Sequence, residues 1–277
     1  MATVRLKPQP PTTITKIAHS DPMGHFYDNQ GRPRFDVGPT KAMQEGLLFS
    51  VNEQFKMLAK PGLEMWKDLE LAKAAYHEPP LPHESEKDFV KRVKAARYRR
   101  TSGAADLGTA VHKEIEDVLS ETKQLEDVPD NLYAYVAPAV TYVKDKEFVI
   151  EHIEKVVVSM EHTFAGTCDL IGTTKNGQPF VADWKTKKST PNKPFVPYLE
   201  NKLQVCSYSV AHFGEERVLN NEVWGVNIFI SSTELGDNGL ARFEAHSYRP
   251  EEMAEAWETA KLLYQLHRKI NEYDPRP

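Results

Sequence analysis

Two aspartates and a lysine interrupt apolar segments in the middle of the chain. Asp169 lies within GTCDLIG, and Asp183 and Lys185 lie within FVADWKT. Two neighbouring carboxylates resist joint ionisation unless a cation neutralises them, and Mg²⁺ and Mn²⁺ prefer oxygen ligands. These residue types therefore predict a divalent metal site. Beside it, Lys185 could orient a nucleophile or offset charge on a phosphoryl group.

Whether these charges meet depends on the turn between the two segments, TKNGQ. A two-residue Asn-Gly loop sets Asp169 opposite Trp184 and sends Asp183 to the other face of the sheet. A three-residue loop, with Gly177 at the left-handed position of a bulge, sets Asp169 opposite Asp183 instead. Lys185 then shares the face of Asp183, because side chains alternate along a strand. A surface hairpin with solvated charges competes with both, although burying unpaired charge between apolar flanks would be costly.

A histidine and a glutamate share one face of a predicted helix upstream of this hairpin. The segment LGTAVHKEIEDVL carries His112 and Glu116 at positions i and i+4. Imidazole is a common metal ligand, and Glu116 could orient it or serve a second ion. A histidine beside an apolar stripe is more often structural, so the residues alone leave both interpretations open.

A basic segment, KRVKAARYRR at 91–100, contains six cations and no acid. Neutralising phosphates supplies most of the non-specific affinity for nucleic acid, and a solvated helix face explains the same run equally well. The candidate phosphate contacts are Arg97, Arg99, Arg100 and, after the D-x-K, Lys187. Tyr98, Trp184 and Tyr208 are candidate stacking surfaces for unpaired bases, with the core as the favoured place for Trp184.

Four motifs, GTAVHKEIE, GTCDLI, VADWKTKK and NKLQVCSYSVAH, occur in this order over about residues 100–230. Together they resemble the PD-(D/E)XK nuclease superfamily, and most closely its RecB-like exonuclease branch. That branch includes CRISPR-associated nucleases, the mitochondrial genome-maintenance exonuclease and many phage recombination or replication nucleases. Cys168 stands where the name-giving proline would be, which is common in this branch.

The resemblance implies a metal site whose ligands are His112, Asp169, Asp183 and the backbone carbonyl of Trp184. It implies that Lys185 is the catalytic lysine, acting with the two aspartates. The Q-x-x-x-Y motif falls on Gln204 and Tyr208, which the resemblance places beside the site and in contact with DNA. The four cysteines that hold an iron–sulfur cluster in some relatives are missing, so no cluster is expected.

The elements that must position these residues change character along the chain. Residues 1–38 are predicted to be a mostly irregular arm with a short strand at Thr12–Ala18, and helices are predicted over about 39–58, 63–76, 86–100, 104–119 and 130–146. From residue 147 the hydrophobic period becomes two, which predicts strands over 147–159, 162–173 and 179–186. A helix over 198–213, strands over 221–232 and 241–248, and a helix from about Pro250 to Asn271 complete the pattern.

This order predicts an α/β fold: a restriction-endonuclease-like core, with a mixed central sheet flanked by helices, after a mostly helical N-terminal region. We assign residues 1–100 to the arm and helical region and residues 101–277 to the nuclease core with its C-terminal helix.

The composition is that of an ordinary soluble globular protein, with 277 residues, 40% of them apolar and 27% charged. No apolar run approaches the roughly 20 residues that span a bilayer, and the N-terminus lacks the apolar stretch of a secretory signal. Two cysteines cannot form a disulfide framework. We therefore expect a cytoplasmic protein. The net charge of −5 argues weakly against nucleic acid, but a local basic patch decides phosphate binding.

These observations lead to the expectation of an Mg²⁺- or Mn²⁺-dependent deoxyribonuclease. We expect an exonuclease acting on single-stranded DNA or DNA ends in phage or bacterial replication, recombination or repair, with a recombinase or single-strand-binding protein as a conceivable partner. An endonuclease of the same superfamily and a non-catalytic DNA-binding scaffold are the alternatives. Because a ligating imidazole must be neutral, activity is expected to fall below about pH 6.5 if His112 binds the metal.

Overall fold

The computed structural model of the protein describes residues 26–35, 37–58 and 60–272, without the side chains at 39, 100–105 and 271–272. The strand predicted at Thr12–Ala18 lies outside these ranges. Within them, no helix combines the length and the apolarity that crossing a bilayer requires.

One mixed sheet organises the described residues. Its strands are β1 (Phe26–Tyr27), β2 (Pro33–Arg34), β3 (Leu48–Ser50), β4 (Val149–Ser159), β5 (Phe164–Thr173), β6 (Pro179–Lys187), β7 (Trp224–Leu235) and β8 (Ala241–Tyr248). They run in the order β2-β1-β3-β5-β6-β7-β8, and β4 also pairs with β5. The pairs β3–β5 and β6–β7 are parallel and the other pairs are antiparallel.

Helices cover both faces of this sheet, as the sequence predicts for an α/β fold. They are α1 (Pro39–Gln44), α2 (Val51–Gln54), α3 (Pro61–His77), α4 (Glu86–Leu119), α5 (Asp130–Asp145), α6 (Leu199–Phe213), α7 (Glu215–Leu219) and α8 (Pro250–Glu272). Adjacent strand residues alternate between two cores. Leu170 packs with α4 and α5, whereas Ile171 packs with α6 and α8. Strands that are buried on both faces usually have continuous apolar sequences, so charged residues inside β5 and β6 are unusual.

The two helices predicted over 86–100 and 104–119 are one helix, α4, of 34 residues. Ser85 caps its N-terminus by accepting a hydrogen bond from the Asp88 amide. The Thr-Ser-Gly-Ala stretch that indicated a break is helical. A glycine inside a helix costs about 1 kcal/mol relative to alanine, which the packing of a long helix outweighs. The domain division at residue 100 stays a prediction, and that position lies inside α4.

The helix predicted over 39–58 was wrong between its ends. The chain turns at Gly46, whose φ of +66° is left-handed, and Leu48–Ser50 form strand β3. Phe49 and Ser50 pair in parallel with Phe164 and Ala165 of β5. Pairing with a distant strand therefore overrides the local helical spacing in this segment.

Candidate active site

Strand β5 has two different neighbours along one of its edges. Strand β4 occupies the other edge throughout. On the first edge, residues 164 and 165 pair with β3, and Leu170–Thr173 pair with β6. Within the described part of the chain, residues 166–169 have no strand partner there. The sheet is therefore split at Asp169, and groups from the helical layers can approach its side chain.

The turn between β5 and β6 is the three-residue loop. The Thr174 amide donates to the Gln178 carbonyl over 2.8 Å, and Gly177 has a φ of +78°. The paired register ends at Leu170 and Ala182, and the next residue on each strand is an aspartate, Asp169 and Asp183, so the two aspartates follow the last pair together. Of the two registers that the sequence allowed, the structure has the one that brings these carboxylates together.

Asp169 is fixed from two directions. Its Oδ2 accepts a hydrogen bond of 2.7 Å from the Trp184 amide. The same oxygen lies 3.6 Å from Nδ1 of His112, which α4 delivers to the split. His112 is also hydrogen-bonded to the backbone of Trp184. The imidazole, the carboxylate and the Trp184 backbone, which the resemblance assigns to one metal site, are therefore adjacent.

Asp183 is held by a lysine and by an asparagine that sequence reasoning did not identify. Nζ of Lys185 lies 2.5 Å from Oδ2 of Asp183. Asn227, its partner on the neighbouring strand β7, donates to the same oxygen over 3.4 Å. The Tyr248 hydroxyl in turn donates to Oδ1 of Asn227 over 2.9 Å, which orients the amide. The carboxylate therefore has a defined position although it is only 2% exposed.

A third carboxylate, Glu154, was also missed. The register of β4 on β5 sets Glu154 opposite Asp169. Its φ of +48° is left-handed, an uncommon and strained state for a residue other than glycine, and such strain clusters at functional sites. Ligand atoms of His112, Glu154 and Asp169 lie within 4.8 Å of one another. Glu154 thus occupies the third position of this group, whereas Asp183 is engaged by Lys185. We call Glu154, Asp169 and Asp183 the site carboxylates.

Burial dominates the electrostatics of the site. Burial raises the pKa of Asp169 and of Asp183 to about 6, although Lys185 counteracts it. Burial and then Asp169 raise the pKa of Glu154 to about 8. Burial and then Lys185 lower the pKa of His112 to about 4, so the imidazole is neutral at neutral pH. Burial alone would lower the pKa of Lys185, but the two aspartates outweigh it and raise that pKa.

These residues fit a divalent cation. Lys185 acts on Asp169 and Asp183, and Lys113, the cation that acts on Glu154, is already paired with Glu116, so the site carries more negative charge than its own residues neutralise. A neutral imidazole and carboxylate oxygens form a donor set suited to Mn²⁺, and the oxygens alone suit Mg²⁺.

Glu116 is paired elsewhere. Its Oε2 accepts from Lys113 over 3.0 Å on the same helix. It contributes to the raised pKa of Glu154 but is not in the three-residue group. A role as second-ion ligand stays a prediction.

The predicted phosphate contacts are spread out. Arg97 lies on α4 about 22 Å from His112 along the helix axis, at 1.5 Å per residue. Arg99 pairs with Glu78 at 3.2 Å, and the side chain of Arg100 lies outside the described set. Lys187 donates to the Val196 carbonyl over 3.2 Å. Arg97, Arg99 and Lys187 are not among the residues of the carboxylate cluster, and contact with substrate stays a prediction for all four cations.

Gln204 and Tyr208 lie together beside the split. The Gln204 amide donates to the Tyr208 hydroxyl over 2.8 Å, and both side chains are buried. A Cβ on Gly166 would lie 2.7 Å from the Tyr208 ring, so glycine is needed where this ring crosses β5. Burial and then Asp183 raise the pKa of Tyr208 well above its usual value. Because Tyr208 and Trp184 are covered by protein, neither ring offers an open stacking face.

No family model matches the chain, and no curated protein matches it. Among solved structures, it is similar to a candidate exonuclease from Eubacterium rectale, with 8% identity, a TM-score of 0.40, and coverage of 80% of this chain and 89% of that chain. It is also similar to a protein designated SSO0001, with 13% identity, a TM-score of 0.26, and coverage of 71% and 85% respectively. Similarities this low carry no functional argument, so function is argued from the site.

Proposed function

We propose that this protein is a metal-dependent deoxyribonuclease that hydrolyses phosphodiester bonds at the ends of DNA, with single-stranded DNA as its substrate. The observation that carries the proposal is the convergence of His112, the site carboxylates and Lys185 at one split in the sheet. These residues come from α4, β4, β5 and β6. A fold has no structural need to gather three acids from three strands and a histidine from a helix at a buried point, and such clusters mark catalytic sites.

His112, Asp169 and Glu154 would hold the metal ion, with Asp183 completing the set when its bond to Lys185 loosens. Bound Mg²⁺ or Mn²⁺ would supply Lewis-acid stabilisation of phosphate charge and a more acidic water. The chain contributes the fixed orientation of these donors. The Trp184 amide holds Asp169, and Asn227 holds Asp183.

Lys185 acts as a hydrogen-bond donor and positive charge in this proposal. The aspartates keep its pKa above the usual value, so the ammonium persists at neutral pH. An ammonium has no lone pair with which to accept a proton. Lys185 therefore orients the attacking water or offsets charge on the phosphoryl oxygens, and the proton from the attacking water passes to bulk solvent.

The preference for unpaired DNA is supported by a cleft of about 610 Å³ between the start of α3 and the start of α6. Its lining includes Trp66, which is 40% exposed, and Tyr198, which is 60% exposed. Nζ of Lys187, two residues from Lys185 along β6, lies 4.5 Å from the Tyr198 ring centroid. Exposed aromatic faces stack with unpaired bases for about 1–3 kcal/mol each. Duplex DNA offers no such faces along its length.

The test is digestion of end-labelled single- and double-stranded oligonucleotides with Mg²⁺, with Mn²⁺ and with chelator. We expect metal-dependent shortening from one end, faster for the single strand, and loss of cleavage in Asp183→Asn. Asp237→Asn, in the exposed turn before β8, is the matched control and should cleave normally. A covalently closed single-stranded circle should survive, since its cleavage would indicate an endonuclease. If wild type is inert with both metals but binds DNA, the protein is a scaffold.

A further inference from the structure

A second group of metal-ligating side chains lies apart from the site carboxylates. It joins the turn between β4 and β5 to the first residue of α7. Nε2 of His162 lies 3.2 Å from Oε2 of Glu215 and 4.0 Å from Oε2 of Glu161. One ligand atom from each of these residues lies within 4.8 Å of the others.

His162 is buried without a hydrogen bond at this nitrogen. His162 is 6% exposed. Among the described residues, its Nε2 has no hydrogen-bond partner, although Glu215 lies close to it. The ring is fixed by the edge-on contact of Trp257, with centroids 4.8 Å apart. A buried polar atom left unpaired costs about 1–3 kcal/mol. A cation bound between the two carboxylates would give this nitrogen the partner that it lacks.

Glu215 is oriented for such a role. Its Oε1 accepts hydrogen bonds from Nε1 of Trp257 over 2.8 Å and from Nζ of Lys261 over 2.6 Å. These bonds occupy one oxygen and leave Oε2 facing His162. Hydrogen-bonded carboxylates of this kind are typical of metal centres, where outer partners fix the ligands.

We propose that Glu161, His162 and Glu215 form a second divalent-cation site that binds Zn²⁺ in preference to Mg²⁺. Bonds of about 2.0–2.2 Å from one ion to nitrogen and oxygen place ligand atoms about 3–4 Å apart. The separations of 3.2 and 4.0 Å fit that range. The side chain of Glu161 is 77% exposed and so is free to rotate toward the ion. An imidazole ligand favours Zn²⁺ over Mg²⁺, and water would complete a four-coordinate shell.

The consequence is a clamp between the sheet and the C-terminal helices. The turn that carries His162 joins the two strands that bear Glu154 and Asp169, and Glu215 connects α7 to α8 through Lys261. Because the ion binds only the folded chain, it should raise the melting temperature, and the rise should grow with the logarithm of the free Zn²⁺ concentration above the dissociation constant. The site is independent of the proposed nuclease reaction.

Zinc titration by calorimetry tests this in a His112→Gln/Asp169→Asn background, which removes ligands from the candidate active site. We expect one equivalent of Zn²⁺ and a rise in melting temperature on its addition. His162→Gln should abolish both effects. Glu161→Gln, at an exposed position that does not endanger folding, should weaken binding about 10-fold or more. His246→Gln is the matched control, because His246 lies 3.4 Å from Glu244 outside any such group of the described residues.

Two results would overturn the proposal. The first is absence of zinc binding in a background protein whose circular dichroism shows that it is folded. The second is zinc binding that neither His162→Gln nor Glu161→Gln alters. In wild-type background, Glu161→Gln should cleave DNA with Mg²⁺ at the normal rate, so a failed nuclease proposal and a failed zinc site give different results.

Discussion

At the exposed start of α4, Arg92 pairs with Glu78 at 2.9 Å and with Glu84 at 2.8 Å. At the split between β5 and β6, the ammonium of Lys185 pairs with Asp183 and acts on Asp169, and Glu154 adds a third carboxylate. The hydrogen bond from Arg92 lowers the pKa of Glu84 to about 2, whereas burial raises that of Asp169 to about 6. In the first region Arg99 also pairs with Glu78, so two cations match two acids and the partners stabilise one another. In the second the acids remain in excess, at a cost in stability that a cation would offset.

The charges of the Arg92 network serve folding, whereas those of the carboxylate cluster serve chemistry. The Arg92 network joins α4 to the end of α3 and to the linker between them. The carboxylate cluster ties α4 to strands β4, β5 and β6 less securely than apolar residues would, because buried charges need compensation. Natural proteins retain such costly arrangements where function needs them.

The largest expected effect is on hydrolysis at Lys185. Lys185→Ala removes the ammonium that pairs with Asp183, so we expect cleavage to fall by about 10³-fold, the scale of losing a transition-state charge partner. Lys188→Ala, at an exposed position on the same segment, is the control and should cut normally. Single-turnover rates on a labelled oligonucleotide measure both. A Lys185→Ala rate within tenfold of wild type would remove this lysine from the mechanism.

Glu154→Gln should separate activity from stability. As a metal-ligand variant it should lose about 10–100-fold in activity. The pKa of Glu154 is raised to about 8 in the folded state, so its contribution to stability is complete below pH 4.5 and is lost as the pH rises through about 8. Glutamine does not titrate. Without metal, the variant should therefore have a higher melting temperature than wild type at pH 9 and the same melting temperature as wild type at pH 4.5.

Glu151→Gln, three residues earlier on β4 and exposed, is the matched control for that experiment. It should change neither activity nor the pH dependence of melting. If Glu154→Gln melted below wild type at pH 9 in chelator, the excess-charge account of the site would be wrong.

The acid limb of activity should follow the aspartates and not the histidine. Because the pKa of His112 is lowered to about 4, its imidazole stays neutral as the pH falls to 5. Asp169 and Asp183 have a pKa of about 6 without metal, so protons compete with the cation there. Activity at limiting metal should fall as the pH drops through about 6, and excess metal should shift the limb to lower pH. A titration of His112 near pH 6.5 in nuclear magnetic resonance spectra would contradict this.

The smallest effect on catalysis should come from Arg92→Ala. It removes a balanced surface network, so the melting temperature should fall while the cleavage rate per folded molecule stays unchanged. Arg268→Ala, on the exposed side of α8, should alter neither. A large loss of cleavage in folded Arg92→Ala would show that the Arg92 network contributes to catalysis as well as to folding.

The sequence predicts the hairpin between β5 and β6 and leaves two registers open for the pairing of its strands. Asn176-Gly177 marked the turn, and the alternation of apolar residues marked both strands. Choosing between registers required knowing that Gly177 takes the left-handed position, which a sequence permits but does not impose. His112 was detectable because its motif resembles that of a known nuclease family.

Glu154 could not have been found in the same way. Its position opposite Asp169 depends on the length of the turn after β4, which sets the register of Ile153 on Leu170 and of Lys155 on Cys168. A left-handed glutamate inside a strand also breaks the period of two on which strand assignments depend. Similarly, β3 exists because β5 pairs with it, and the local spacing of its residues favours a helix.

A crystal structure with Mn²⁺, with the ion located by its anomalous scattering, tests the central claim most directly. The account predicts one ion about 2 Å from the Asp169 carboxylate and the His112 imidazole, with Glu154 turned toward it and Lys185 within reach of its water. Density for Mn²⁺ elsewhere only, with these side chains apart and Lys185 directed to solvent, would contradict it.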